Sequence, residues 1–188
     1  MARRSPSTRH PQDRSTGARR SPLLSRPETR FLLVFVGLLV SSFGIVALKP
    51  VNDAFVDPYT AGVAKVAGRI LQGLGEKVTV RGCLLASPRF AVTIFNGCNG
   101  LITTLIFLSA VLAFPVGWRP KLIGVVGGIV AIQLINMIRI VSLYYIGAFF
   151  PSWFNNAHVV VWQSIVILAG VALWVFWAGR YGRGTATD

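Results

Sequence analysis

Acidic residues are scarce in this chain. Its 188 residues carry six Asp and Glu against nineteen Lys and Arg, for a net charge of +13. No carboxylate lies inside a long apolar stretch, so a paired-carboxylate acid–base site and a carboxylate-rich metal centre both lack their groups. Histidine is as rare, with only His10 and His158, and cysteine is limited to Cys83 and Cys98. There is no C-x-x-C pair for thiol redox chemistry and no Gly-rich phosphate loop. One histidine and one cysteine within reach of each other make a poor ligand set, so no metal or other cofactor is expected.

What the chain has in quantity is apolar residues, 53% of the total. That content points to a membrane protein rather than a soluble domain. Apolar runs at 31–48, 98–118, 122–150 and 158–178 can each supply the roughly 20 residues that cross a bilayer. The fold expected is an all-α membrane protein, a four-transmembrane-helix bundle. Eight arginines precede residue 31, Arg119 and Lys121 lie between the second and third runs, and Arg180 and Arg183 follow the last. The positive-inside rule puts all three groups in the cytoplasm, with both termini inside an inner membrane. Trp118, Trp153, Trp162, Trp174, Trp177 and Tyr181 fit aromatic belts at the two interfaces. Residues 1–30, rich in Arg, Ser and Pro, read as a disordered, topology-setting cytoplasmic tail. Residues 31–178 read as the membrane domain and 179–188 as a second cytoplasmic tail. The tail's arginines lack interleaved aromatics, so nucleic acid is not an expected partner. The first helix lacks an A-x-A cleavage site and is expected to stay as an anchor.

The loop 49–97 is the one sizeable external segment. Val63, Val66, Ala67, Ile70, Leu71 and Leu74 recur at three and four, predicting an external amphipathic helix from Pro58 to Leu74, stopped by Gly75. Alternation over Lys77–Arg81 and Arg89–Phe95, around Ala86-Ser87-Pro88, predicts a possible β-hairpin between helices 1 and 2. A free edge of such a hairpin accepts an extended peptide by strand addition. A hairpin would hold Cys83 near its turn and Cys98 beyond its base, well over ~10 Å apart at ~3.3 Å per residue. A disulfide needs Cα atoms within about 7 Å, so both thiols are expected free, with Cys83 a small apolar filler.

Three residues carry the chemistry. Cys98, flanked by Gly97, Asn99 and Gly100, sits at the start of a membrane helix, where unpaired N–H groups and the helix dipole favour an anion. Arg139 lies inside an apolar helix, which costs roughly 2.5–3.5 kcal/mol on insertion scales and usually marks a functional cavity. Counted from Lys121 at ~1.5 Å per residue, it is about 27 Å along, near the outer face of a core of about 30 Å. Asn136 and Gln133 continue a polar stripe on that helix. His158 opens the last helix at the same outer boundary. A thiol, a fixed cation and an imidazole at one face are the parts of a cysteine-based acyl-transfer site.

These residues resemble the exosortase/archaeosortase family. The resemblance rests on Asn96-Gly97-Cys98-Asn99-Gly100-Leu101 opening a membrane helix, Asn136-x-x-Arg139 in the next, and His158 at the start of the last. It covers roughly residues 90–178. Four helices would make a short form, most like the exosortase H type, and Asn99 stands where a small residue such as Ser commonly follows the cysteine. The resemblance implies an integral membrane cysteine peptidase or transpeptidase of the inner membrane, acting through a Cys thioester. Its partners would be exported proteins bearing a C-terminal motif, a transmembrane helix and a basic tail. Cys98, Arg139 and His158 would be catalytic, with Asn99 and Asn136 supporting. The alternative from another class is a non-enzymatic membrane assembly or transport subunit, with Arg139 as a structural contact.

Overall fold

The computed structural model describes residues 27–182. Most of the expected N-terminal tail and the last residues of the C-terminal one lie outside that range. In chain order the elements are α1 (Pro27–Ala47), α2 (Lys49–Val51), a π-helical stretch Asn52–Val56 and α3 (Asp57–Gly73). Then come strands β1 (Thr79–Arg81), β2 (Leu84–Ala86) and β3 (Ala91–Thr93), followed by α4 (Leu101–Ala113) and α5 (Trp118–Phe149). A 3-10 turn Pro151–Trp153, α6 (Phe154–Asn156), a π-helical stretch Ala157–Val161 and α7 (Trp162–Tyr181) complete the chain.

Three helical segments are long and apolar enough to cross a membrane: Pro27–Ala47, Trp118–Phe149 and the continuous run Pro151–Tyr181. The second expected span is shorter than the run 98–118. Helix α4 has 13 residues, about 20 Å at ~1.5 Å each. Pro115 ends it, because the residue before a proline is pushed out of the helical region, and Phe114 is extended at φ −68°, ψ 134°. Gly100, at φ +80°, starts it. Arg119 and Lys121 lie in the first turn of α5 rather than in a loop, and Pro151–Asn156 is helical rather than a connection.

Helix α5 is the axis of the molecule. Its buried residues run Gly124, Gly128, Ile132, Asn136, Arg139, Ile140, Leu143, Tyr144 and Gly147, a single stripe at spacings of three and four. The stripe is small at its start, polar in the middle and aromatic at its end. At the small end, Trp177 and Phe107 pack onto Gly124 and Gly128, and with Val111 and Ile132 they form one apolar core. At the far end, Ile140 and Tyr144 join Val63, Ala64, Ala67, Leu71, Val78, Leu85 and Ile94 in a second. Asn136 and Arg139 fall between the two. At 32 residues, α5 is about 48 Å long, well beyond a bilayer core of about 30 Å. Its excess turns are the ones that carry the sheet.

The segment expected to form the amphipathic helix is helical, as α3. Thr60, Val63, Ala64, Ala67, Gly68 and Leu71 are buried, while Val66, Ile70 and Leu74 are exposed. Its small-residue side packs against α5 and the sheet, because Ala and Gly allow the closest approach. The expected two-stranded hairpin is a three-stranded antiparallel sheet in the order β1-β2-β3. Val80 pairs with Leu85, and Leu85 with Val92. The extra strand arises because Gly82, at φ +59°, allows a tight turn after Arg81 that returns Leu84–Ala86 beside β1. Leu85 is fully buried. Ala86, expected in a turn, ends a strand.

Two contacts fix this sheet to α5. Tyr144 Oη donates to Ser87 Oγ at 2.7 Å, and the Phe90 ring lies where a Cβ on Gly147 would be, 2.3 Å from its carbons. Gly147→Ala should therefore cost about 1–3 kcal/mol, as overpacking does, and lower Tm in detergent. Gly127→Ala, with open space around its Cβ, should be neutral or stabilising by up to ~1 kcal/mol. Equal melting temperatures for the two variants would remove Gly147 as the seat of the sheet.

Candidate active site

Cys98 does not stand on the helix itself. It sits two residues before Gly100, in a turn closed by its own N–H donating to Phe95 O at 2.8 Å. Gly100 then reverses the chain into α4. A side chain on Gly100 would meet Gln133 Nε2 at 2.9 Å and Asn136 at 3.2 Å, so glycine is required there by both conformation and space. The turn is also tied from outside. Asn99, fully buried, donates from Nδ2 to Thr60 Oγ1 at 2.8 Å and accepts from Leu101 N–H at 3.0 Å. Asn96 donates to Asn52 Oδ1 at 3.0 Å and Asp57 Oδ1 at 3.1 Å, and its own Oδ1 lies 3.0 Å from Thr60 Oγ1. Gln133 donates to Tyr59 Oη, which in turn lies 3.4 Å from Asn99 O.

The three candidate catalytic side chains meet at this turn. His158 Nε2 is 3.0 Å from Cys98 Sγ, in range for a thiol donating to neutral imidazole or an imidazolium donating to a thiolate. Arg139 Nη2 approaches the same sulfur at 3.8 Å. Arg139 is 4% exposed, its Nε has no partner, and among the described residues no carboxylate lies within ion-pair distance of it. His158 lies within the π-helical stretch Ala157–Val161, not at a helix start. Its ring stacks on Phe154, centroids 5.9 Å apart and planes 10° from parallel. Nothing among the described residues accepts from its Nδ1, so packing rather than a third polar group sets the ring's orientation.

The sulfur, guanidinium and imidazole open into a cavity of about 250 Å³. Ile140, Leu143, Phe90 and Phe154 supply apolar walls, and the whole of β3 lines one side. Among the described residues no group of three or more His, Cys, Asp or Glu is placed to hold a metal ion.

The two supporting candidates lie behind this cavity rather than in it. Asn99 spends its side chain holding the turn. Asn136, 2% exposed with an unpartnered Nδ2, sits one turn from Arg139 against Gly100. Tyr59, Thr60 and Phe154 escaped the sequence reading. Thr60 had a signal, since it continues the buried spacing of Val63, Ala67 and Leu71; Tyr59 and Phe154 had none.

Both cysteines are free thiols. Burial pushes the Cys83 thiol up, helped by the charge of Asp57. A raised thiol holds less thiolate at neutral pH, and thiolate is the reactive form. A small impermeant alkylating reagent at pH 7 should thus modify Cys98 before Cys83, and Cys83 should catch up only as the pH rises. His158→Ala should slow Cys98 without changing Cys83. Faster labelling of Cys83 at pH 7 would contradict this ordering.

Compared with known families, residues 23–178 match the family described as transmembrane exosortase. No curated protein matches the chain, and no solved structure does.

Proposed function

Because this chain belongs to the transmembrane exosortase family, we propose that it is a membrane-embedded cysteine peptidase or transpeptidase acting on the C-terminal sorting tails of exported proteins. The observation that carries this reading is the 3.0 Å approach of His158 Nε2 to Cys98 Sγ, with a buried, carboxylate-free Arg139 on the same sulfur.

In the first step Cys98 gives its proton to His158, and the thiolate attacks the scissile carbonyl carbon. The carbon–sulfur bond forms and the carbonyl π pair moves to oxygen, giving a tetrahedral oxyanion. When that oxyanion collapses, the carbon–nitrogen bond breaks and His158 returns its proton to the leaving amine. The severed tail departs and a thioester remains on Cys98. Water or an acceptor amine then attacks the thioester, again losing a proton to His158, and the thiol is restored. Arg139 stabilises negative charge on sulfur and then on oxygen, where a fixed cation in a dry site is most effective. Asn99 positions Cys98 through the turn, while Asn136 packs against Gly100 one helical turn from Arg139.

The membrane arrangement follows from the same residues. Four crossings, with α4 as a short one around which the bilayer thins, put both termini in the cytoplasm under the positive-inside rule. The sheet and α3 then cap the outer face, with the site just below them. A 13-residue α4 leaves Cys98 sunk at the membrane boundary, where a tail still anchored by its own helix can reach it. A purely structural Arg139 would be paired to a carboxylate or to backbone carbonyls. Its contact with a thiol favours the enzyme over a scaffold subunit.

The test uses a secreted reporter ending in a motif, apolar helix and basic tail encoded in the same genome and processed by the unaltered chain. Cys98→Ala and His158→Ala should abolish processing at normal protein level. Arg139→Ala should cost roughly 10²–10³-fold, as loss of an oxyanion-stabilising group does. Arg139→Lys should also be poor, since an ammonium lacks the planar fork. Combined losses should not add, because the residues act in one mechanism. Normal processing by Cys98→Ala would sink the peptidase reading.

A further inference from the structure

One wall of the cavity beside Cys98 is main chain. Strand β3 is the edge of the sheet, and residues 90–95 line the cavity along its length. The register fixes which backbone groups are used. Ser87 N–H donates to Phe90 O and Ile94 N–H donates to Cys83 O, so Phe90 and Ile94 turn their backbone groups toward β2. By antiparallel alternation Val92, paired with Leu85, does the same. Ala91 and Thr93 therefore direct their N–H and C=O groups away from the sheet. Among the described residues nothing pairs with them. The opposite edge, β1, lies against α3 and does not line the cavity.

An unpaired edge is usually covered or blunted by charge, proline or a bulge. Strand β3, Ala91-Val92-Thr93, has no charge, proline or bulge within it, and its shortness is the one such device it has. The free edge ends five residues before the nucleophile, and β3 lines the same cavity as His158 and Phe154. About 250 Å³ suits a short extended segment, whereas a helix with its side chains is about 10–12 Å wide.

We propose that the substrate's recognition segment binds as a fourth strand on β3, pairing its backbone with Ala91 and Thr93 and so delivering its scissile carbonyl to Cys98. This inference rests on the peptidase reading of the site. Main-chain pairing supplies register, and alternate side chains of the segment supply specificity. Every second residue points toward Ile140, Leu143 and Phe154, so those positions take small or apolar side chains; the residues between them face outward and are free to be polar. A lipid acyl chain would fill the same slot without using the strand's donors, which the test separates.

Proline is tolerated on an edge strand where its missing N–H faces outward. Thr93→Pro removes one outward donor and leaves the β2 ladder intact. It should lower kcat/KM for the tailed reporter at least tenfold, chiefly through KM, with Cys98 alkylation unchanged. A second measurement uses the unaltered protein: synthetic peptides of the reporter's motif, N-methylated at one amide at a time, compete with the reporter. Strand addition predicts loss of competition at every second amide only. If Cys98→Ala is inactive yet Thr93→Pro processes within twofold, the strand-addition inference fails while the peptidase reading stands. N-methylation tolerated everywhere, or damaging at consecutive amides, also overturns it. An active Cys98→Ala variant overturns the peptidase reading instead.

Discussion

Everything in this fold is arranged around a guanidinium held inside apolar surroundings without a carboxylate. A buried cation is costly unless it is paired and hydrogen-bonded, and Arg139 is nearly completely buried with one nitrogen unpartnered. The site tolerates it because it lies at a seam. One apolar core ends at Ile132, the other begins at Ile140, and the polar side chains of α5 fall in the gap. Cost and use have one source here: a cation with no resident counter-charge stabilises whatever negative charge forms nearest, and the nearest atom able to carry one is Cys98 Sγ.

Holding the sulfur at that point falls to the turn 96–100, which has little regular structure of its own. Its rigidity is borrowed. Asn96 and Asn99 reach Asn52, Asp57 and Thr60, all of which precede or belong to α3. Helix α3 is clamped in turn by the sheet, and the sheet by Tyr144 and Gly147 on α5. Arg139 is on the same α5. Cys98 and Arg139 are therefore positioned from one rigid body although they are far apart in sequence. A change loosening the sheet from α5 would be felt at Cys98 as a positioning defect, which under the proposed acyl-transfer function would be expensive in rate.

Much of this was legible in the sequence, and the failures have physical causes. The long apolar runs and the Cys98, Arg139 and His158 set could be read because apolar length and buried charge are strong local signals. The run 98–118 overstated α4, since composition cannot see that Gly100 is left-handed or that Pro115 forces Phe114 extended. The hairpin was incomplete because Ala86-Ser87-Pro88 has the chemistry of a turn, while the turn after Arg81 shows only Gly82. Hydrophobicity marks Val66, Ile70 and Leu74 on α3, but it cannot show that close packing against α5 and the sheet uses Ala64, Ala67 and Gly68. Polar contacts such as Tyr59 with Gln133 span sequence distances that no periodicity encodes.

The two π-helical stretches, Asn52–Val56 and Ala157–Val161, both border the site, and their position has a geometric consequence. One extra residue in a helical turn rotates everything on one side of it by about 100° relative to the other side, and such insertions concentrate at functional sites. His158 lies inside the second stretch, between Phe154, which stacks on its ring, and α7, which must keep Val166 and Trp177 inward. A regular α-helix could satisfy one of these demands but would turn His158 away while satisfying the other. The widened turn lets α6 hold its register toward Phe90 and α7 hold its register toward α4 and α5, with the imidazole still aimed at the thiol. The first stretch does the same for Asn52 and Asp57, which must face Asn96 while α3 turns its small-residue side to the sheet. The two π-helical stretches fall where the site requires two registers at once.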